Sequence, residues 1–215
     1  MSDTPATAEQ RLVEWLGALA SEAPTPGGGA VAAISAAAGA ALVAMVGRLT
    51  ARKAGFEEVA ARMEEIVAEA DRERSVLLAM ADRDAEAFGE VMAAYRMARD
   101  TDDERAARLN ALQTALEHAA EIPLTVARRA VYLMGLAGEA ITSGNPNTAS
   151  DGFSAAAVLH AATLSALANV QINAFAFVDA ARRAELVDDC RRLRDRADQV
   201  LANADESFTA RIGSA

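Results

Sequence analysis

The 215 residues carry 31 Asp and Glu against 21 Lys and Arg, a formal net charge of −10, and only 4% are aromatic. A duplex partner needs clustered cations and single strands need stacking platforms, so no nucleic acid is expected as a partner. The single cysteine, Cys190, excludes an internal disulfide framework and fits a reducing cytoplasm. His118 and His160 stand far from it and from each other, so no metal site is expected. A chain of this length that is 52% hydrophobic reads as one domain with a real core.

The N-terminus carries Asp3 and Glu9 but no basic run, so it does not read as a signal peptide. A first helix is expected over Ala8–Ala20, with Leu12, Trp15, Leu16 and Leu19 on one face. Two prolines and three glycines in Ser21–Gly29 break it. The second helix, Ala30–Leu49, is apolar nearly all round and belongs in the centre of the fold. Nine of residues 30–46 are alanine, with Ser35 and Gly39 among the rest. That run is too weakly apolar for a membrane span, and no membrane partner is expected.

A long helix is expected over Phe56–Ala98, with Phe56, Met63, Ala70, Leu77, Val91 and Ala98 in a near-heptad row. A second row runs Ala60, Val67, Ala81, Phe88 and Tyr95. Thr101 and Glu104 form a capping box for the next helix. That helix should reach Ala120, kink or restart at Pro123, and continue to Leu136. Gly138–Gly152 reads as irregular, Phe153–Val178 as another apolar helix. The last helix shows a stripe of Leu186, Cys190, Leu193, Ala197, Val200, Ala204, Phe208 and Ile212. Strand alternation, internal repeats and long linkers are absent. The fold class is therefore all-α, a single-domain bundle of long antiparallel helices spanning 1–215.

Costly exceptions to these patterns mark candidate functional residues. Asp84 falls in the seam row of the long helix, where a carboxylate faces the core or a cavity unless the helix rotates locally. Its neighbours Asp82 and Glu86 read as solvated, and Arg74 makes the register imperfect. Lys53 is the only lysine beside 20 arginines: either a chance surface cation or a site needing a compact ammonium. Ser165, Asn169 and Asn173 recur at i, i+4, i+8 on an apolar helix, with Ser154 on the same face. They meet either a neighbouring helix or a ligand. His160 points away from this stripe as a packing residue, and His118 lies on a charged surface. Gly27, Gly28 and Gly29 lead into an apolar helix whose free amides suit an anionic or carbonyl group, or they serve close packing. Thr148 and Asp151 read as a second capping box or as part of a site.

These features occur together in a recognisable order. Ala23-Pro-Thr-Pro-Gly-Gly-Gly-Ala30, Met45-Val-Gly-Arg-Leu-Thr50, Asp84-Ala-Glu-Ala-Phe88, Gly144-Asn-x-Asn-x-x-Ser-Asp151 and Asn169-Val-x-Ile-Asn173 resemble the cyclodeaminase/cyclohydrolase family of folate enzymes. The resemblance runs from about Leu12 to Phe208. It departs at Arg83, where the family often has a second acid, and around Lys53, where it often has several lysines.

The resemblance implies a cytoplasmic, all-helical homodimer that binds a tetrahydrofolate derivative near the subunit interface without a separate cofactor. It implies catalytic roles for Asp84, Lys53 and Asp151. Substrate contacts then fall to Gly27, Gly28, Gly29, Asn145, Asn147, Ser150, Asn169 and Asn173. With no formiminotransferase domain within the 215 residues, the expected activity is methenyltetrahydrofolate cyclohydrolase. The alternatives are formimidoyltetrahydrofolate cyclodeaminase and a non-catalytic ligand-binding or oligomerisation bundle.

Overall fold

The computed structural model describes residues 6–213. Six helices follow one another: α1 (Leu12–Leu19), α2 (Gly28–Ala51), α3 (Glu57–Arg96), α4 (Asp102–Ser143), α5 (Ala149–Ala174) and α6 (Ala180–Gly213). No strand occurs among the described residues. Short connections of a few residues make consecutive helices from α2 to α6 antiparallel neighbours. At 1.5 Å per residue α3 and α4 are each about 60 Å long.

α2 lies between α3 and α5, and α4 packs on α5, α3 and α6. The alanine excess explains the closeness. Ala32, Ala33, Ala36, Ala40 and Ala44 are fully buried on α2, and its largest buried side chains are Val43 and Val46. Gly39 sits so close to Leu159 of α5 that a Cβ there would overlap the leucine side chain. The larger core residues come from the neighbours, among them Met63, Ile66 and Leu77 of α3, Leu133 and Met134 of α4, and Leu159 and Leu167 of α5. Burial of each such side chain stabilises the fold by about 1.5–3 kcal/mol. α2 and the segment Pro146–Ala174 are long and apolar enough to cross a membrane by length and composition alone. Both are packed within this bundle.

The seam row holds at Met63, Ala70, Leu77 and Val91, which are buried. Phe56 is half-buried just before α3, and Ala98 is exposed beyond its end at Arg96. Leu186, Cys190, Ala197, Val200 and Ala204 are buried on α6. The Thr101–Glu104 capping box forms, with the Thr101 hydroxyl accepting from the Glu104 amide at 3.2 Å.

Several boundaries differ. The first helix starts at Leu12, after a 3-10 turn over Thr7–Glu9. Only Trp15 of its expected face is buried, whereas Leu12 is 68% exposed. Asp82 is not simply solvated: it accepts from the amide and hydroxyl of Thr7, at 3.0 and 2.6 Å, and pins that turn. Ile212, at the far end of the α6 stripe, is exposed.

α4 neither restarts nor stops at Pro123 but continues to Ser143. Helix therefore fills most of the expected irregular stretch, leaving Gly144, Asn145 and a 3-10 turn over Pro146–Thr148. Arg211 of α6 donates to the carbonyls of Ile141 and Gly144, capping the end of α4. α5 ends at Ala174, short of Val178. The Thr148–Asp151 box does not form, because the Thr148 hydroxyl donates instead to the Asn145 carbonyl at 2.9 Å.

Candidate active site

A cleft of about 370 Å³ opens at the end of the bundle where α2 and α4 begin and α3 and α5 end. α3 supplies one wall through Asp84, Phe88, Val91, Met92 and Tyr95. These positions fall at i, i+4, i+7, i+8 and i+11, one stripe of a helix. α5 supplies the other wall through Asn169, Ile172 and Asn173, and Leu116 and Ala119 of α4 lie between them. Gly27, Gly28 and Gly29 bring in the first turn of α2.

Asp84 lies against that turn. Its carboxylate accepts from the backbone N–H of Ala30. A Cβ on Gly29 would overlap the carboxylate, so the approach requires glycine there. At Gly28 a Cβ would stand 3.1 Å from Asn169 Nδ2. The glycines thus let an α3 acid and an α5 carboxamide close on the start of α2. The first intrahelical bond runs from the Val31 amide to the Gly27 carbonyl at 3.0 Å. The amides of Gly28 and Gly29 precede it and have no acceptor within the helix. Burial pushes the Asp84 carboxyl above the ordinary aspartate range, against the opposing pull of the Ala30 N–H. A carboxylate of raised basicity in a cleft is suited to taking a proton from water.

The asparagine stripe has a defined polarity. Asn173 Nδ2 donates to the Ala119 carbonyl at 2.9 Å and to the Asn169 carbonyl at 3.1 Å. Asn169 Nδ2 donates to the Ser165 carbonyl at 2.9 Å, and the Ser165 hydroxyl donates to the Gly28 carbonyl at 3.2 Å. With both amino groups engaged by backbone, each carboxamide has its oxygen left to accept from a ligand. Ser154 lies on the exposed side of α5, outside this group.

Lys53 is elsewhere. It follows the end of α2, and the 24 residues of that helix set it about 35 Å from Gly28. Its ammonium donates to Asn145 Oδ1 at 2.7 Å and lies 5.7 Å from the centre of the Phe56 ring. Asn145 is buried, its Oδ1 also accepts from the Asn147 amide at 3.0 Å, and its own amide donates to Thr50 Oγ1 at 3.1 Å. Asn147 and Ser150 are exposed and Asp151 is half-buried, all at this second end. The expected residues therefore form two groups within one chain. Asp84, the glycines, Asn169 and Asn173 share the cleft, while Lys53, Asn145, Asn147, Ser150 and Asp151 do not reach it.

The histidines are both paired, His118 with Glu90 at 2.8 Å and His160 with Asp198 at 2.6 Å. Among the described residues no group of three or more His, Cys, Asp or Glu side chains is arranged to hold a metal ion. Phe88 and Tyr95, assigned by periodicity to a core row, instead wall the cleft and are partly exposed, Tyr95 by 44%. The signal for them lay in their spacing from Asp84, i+4 and i+11 on the same helix face.

The profile described as formiminotransferase-cyclodeaminase matches residues 11–192. The chain belongs to the formiminotransferase-cyclodeaminase family. Within this family it is 41% identical over 165 residues to a methenyltetrahydrofolate cyclohydrolase of Methylorubrum extorquens, covering 77% of this chain and 79% of that one. It is 34% identical over 182 residues to the formimidoyltransferase-cyclodeaminase of Gallus gallus, covering 85% of this chain but only 34% of that longer protein. The crystal structure of a formiminotetrahydrofolate cyclodeaminase from Thermotoga maritima superposes with a TM-score of 0.85 at 31% identity, over 95% of this chain and 98% of that one. These relatives are named as enzymes, and the family's fold is the all-helical domain described above.

Proposed function

We propose that this protein is a methenyltetrahydrofolate cyclohydrolase, adding water to 5,10-methenyltetrahydrofolate to give 10-formyltetrahydrofolate. The observation that carries the reading is the desolvated Asp84 carboxylate set beside two acceptor carboxamides at one end of an otherwise apolar cleft. The cyclohydrolase of Methylorubrum extorquens, similar over most of both chains, supports the choice within the family.

The chemistry follows from these groups. A pterin presents a 2-amino group and ring N–H groups, which suit the oxygens of Asn169 and Asn173. The Asp84 carboxylate stabilises the cationic methenyl carbon and accepts a proton as water adds to it. The C–N5 bond of the tetrahedral intermediate then breaks as its hydroxyl gives up its proton to become the formyl oxygen. N5 takes a proton, the formyl group stays on N10, and one proton is released overall. Oxidation states do not change, so the reaction calls on no redox cofactor. The aminobenzoyl ring suits the stretch walled by Phe88, Val91 and Met92.

Lys53 enters this scheme only through a second copy. Two polar groups at opposite ends of α2 support a homodimer in which Lys53 of one chain meets the Asp84 cleft of the other. The ammonium would there donate to the oxygen of the intermediate. A cytoplasmic protein without a membrane or nucleic-acid partner fits the acidic balance and the lone buried Cys190.

Cyclodeamination of 5-formiminotetrahydrofolate, closing the ring onto N10 with loss of ammonia, is the second reading. The Thermotoga maritima superposition favours it. Purified protein incubated with each substrate separates the two by the methenyl chromophore. Its loss from methenyltetrahydrofolate supports the cyclohydrolase. Its appearance from the formimino compound, with ammonia, supports the cyclodeaminase. Turnover of neither overturns both and leaves a non-catalytic bundle.

A further inference from the structure

The far end of the cleft is walled by Tyr95, and a cation stacks on that residue. Tyr95 lies 11 residues beyond Asp84 on the same face of α3, about 16 Å along the helix. On α4, which runs the other way, Ala119 lines the cleft and Arg108 lies 11 residues before it on the same face. The cleft therefore runs along α3 from Asp84 to Tyr95, and Arg108 stands just beyond its lining, against Tyr95.

The Arg108 guanidinium stacks over the Tyr95 ring at 5.6 Å from its centre. Its Nε and Nη2 donate to the Tyr95 carbonyl at 3.3 and 3.2 Å. Arg108 makes no ion pair with a carboxylate among the described residues, unlike Arg105 nearby, which pairs with Asp102. It is half-buried, held by backbone on one side, and keeps its charge and its Nη1 for an external anion. The order is acceptors and Asp84, then an apolar wall ending at Tyr95, then, beside Tyr95, a guanidinium with no carboxylate partner among the described residues.

We infer that Arg108, oriented by Tyr95, receives the carboxylates of the substrate's glutamyl tail. This assignment rests on the folate reading and deepens it. A folate has the same order of parts: a pterin rich in donors, an apolar aminobenzoyl ring, and an anionic glutamate. Lys53, the only lysine, lies at the far end of the same chain's α2. In a protein with a formal net charge of −10, an anionic tail needs a local cation to offset the general repulsion.

The test is steady-state kinetics of the full chain with methenyltetrahydrofolate and with the corresponding methenyltetrahydropteroate, which has no glutamate. Arg108→Ala should raise KM for the glutamylated substrate about tenfold with kcat within about twofold, and leave KM for the pteroate unchanged. Arg108→Lys should fall between, since an ammonium keeps the charge but not the planar fork. The wild-type KM for the glutamylated substrate should rise with salt, and that of Arg108→Ala should not. An unchanged KM, or an equal rise on both substrates, overturns the assignment while leaving the folate reading in place. A wild-type protein that turns over neither these compounds nor the formimino substrate overturns the folate reading and this assignment together.

Discussion

Asn173 donates its side-chain amide to the carbonyl of Ala119, the acceptor that Pro123 leaves without a helical partner. In an α-helix the carbonyl of residue 119 would accept from the amide of residue 123, and proline has none. The 2.9 Å bond from α5 fills that gap, and α4 runs through the proline for its whole length. Asn173→Ala should therefore cost about 1–3 kcal/mol, the penalty of an unpaired buried carbonyl. In a Pro123→Ala background, where the new amide supplies the bond, the same substitution should cost clearly less. Urea unfolding of the four proteins measures the coupling, and strict additivity would contradict the pairing.

Asp84 ties pH to both stability and rate. Its carboxyl is raised by burial, so the folded protein holds the proton more tightly than the unfolded chain. The stability this adds is fully present below the unfolded value of about 3.9 and is lost as pH rises through the folded value. Asp84→Asn keeps an acceptor for the Ala30 amide and has no charge to desolvate. It should unfold at higher urea than wild type at neutral pH, with the advantage shrinking towards pH 4. Turnover should fall at least tenfold, about 1.4 kcal/mol of barrier. The wild-type rate should climb with pH as Asp84 deprotonates. A variant that kept full activity would remove Asp84 from the mechanism.

The glycines of the α2 start are not equivalent. A Cβ on Gly29 overlaps the Asp84 carboxylate, while one on Gly27 meets only the Pro24 carbonyl at an ordinary 3.5 Å. Gly29→Ala should displace the acid, abolishing most activity and costing about 1–3 kcal/mol through overpacking. Gly27→Ala should stay within about 0.5 kcal/mol of wild type. Thermal melts with parallel rate measurements compare them, and equal behaviour of the two would count against the close approach.

Subunit sharing is open to complementation. Asp84→Asn and Lys53→Met proteins, each impaired alone, should recover activity after mixing and refolding, because a mixed dimer holds one site with neither change. Random pairing of equal amounts gives roughly a quarter of wild-type activity. No recovery, with mixed dimers demonstrated by size and tag, would remove Lys53 from the shared site.

Much of the bundle is legible in the sequence because helix formation is local. The seam of Met63, Ala70 and Leu77, the Thr101 cap and the burial of an alanine-rich α2 all follow from residues within a few turns of each other. Pro123 is instructive. Read locally it kinks or restarts a helix that then continues. α4 does continue and does not restart, because the missing bond is supplied from α5, 50 residues away in the chain. Phe88 and Tyr95 fail for a related reason: apolar spacing does not distinguish the core from the wall of a cleft.

The sequence alone determined that this acidic, alanine-rich chain is helical throughout, and it singled out Asp84, Lys53, the glycines and the asparagine stripe as the costly residues. Only the tertiary structure decided how they are grouped. The length of α2 separates Lys53 from Asp84, the antiparallel return of α3 and α5 sets Asp84 and Asn169 on Gly29 and Gly28, and the turn into α4 brings Arg108 onto Tyr95. Residue type and periodicity fix a side chain's chemistry and its helix face. Which groups meet depends on helix length and direction, and these are properties of the packed bundle.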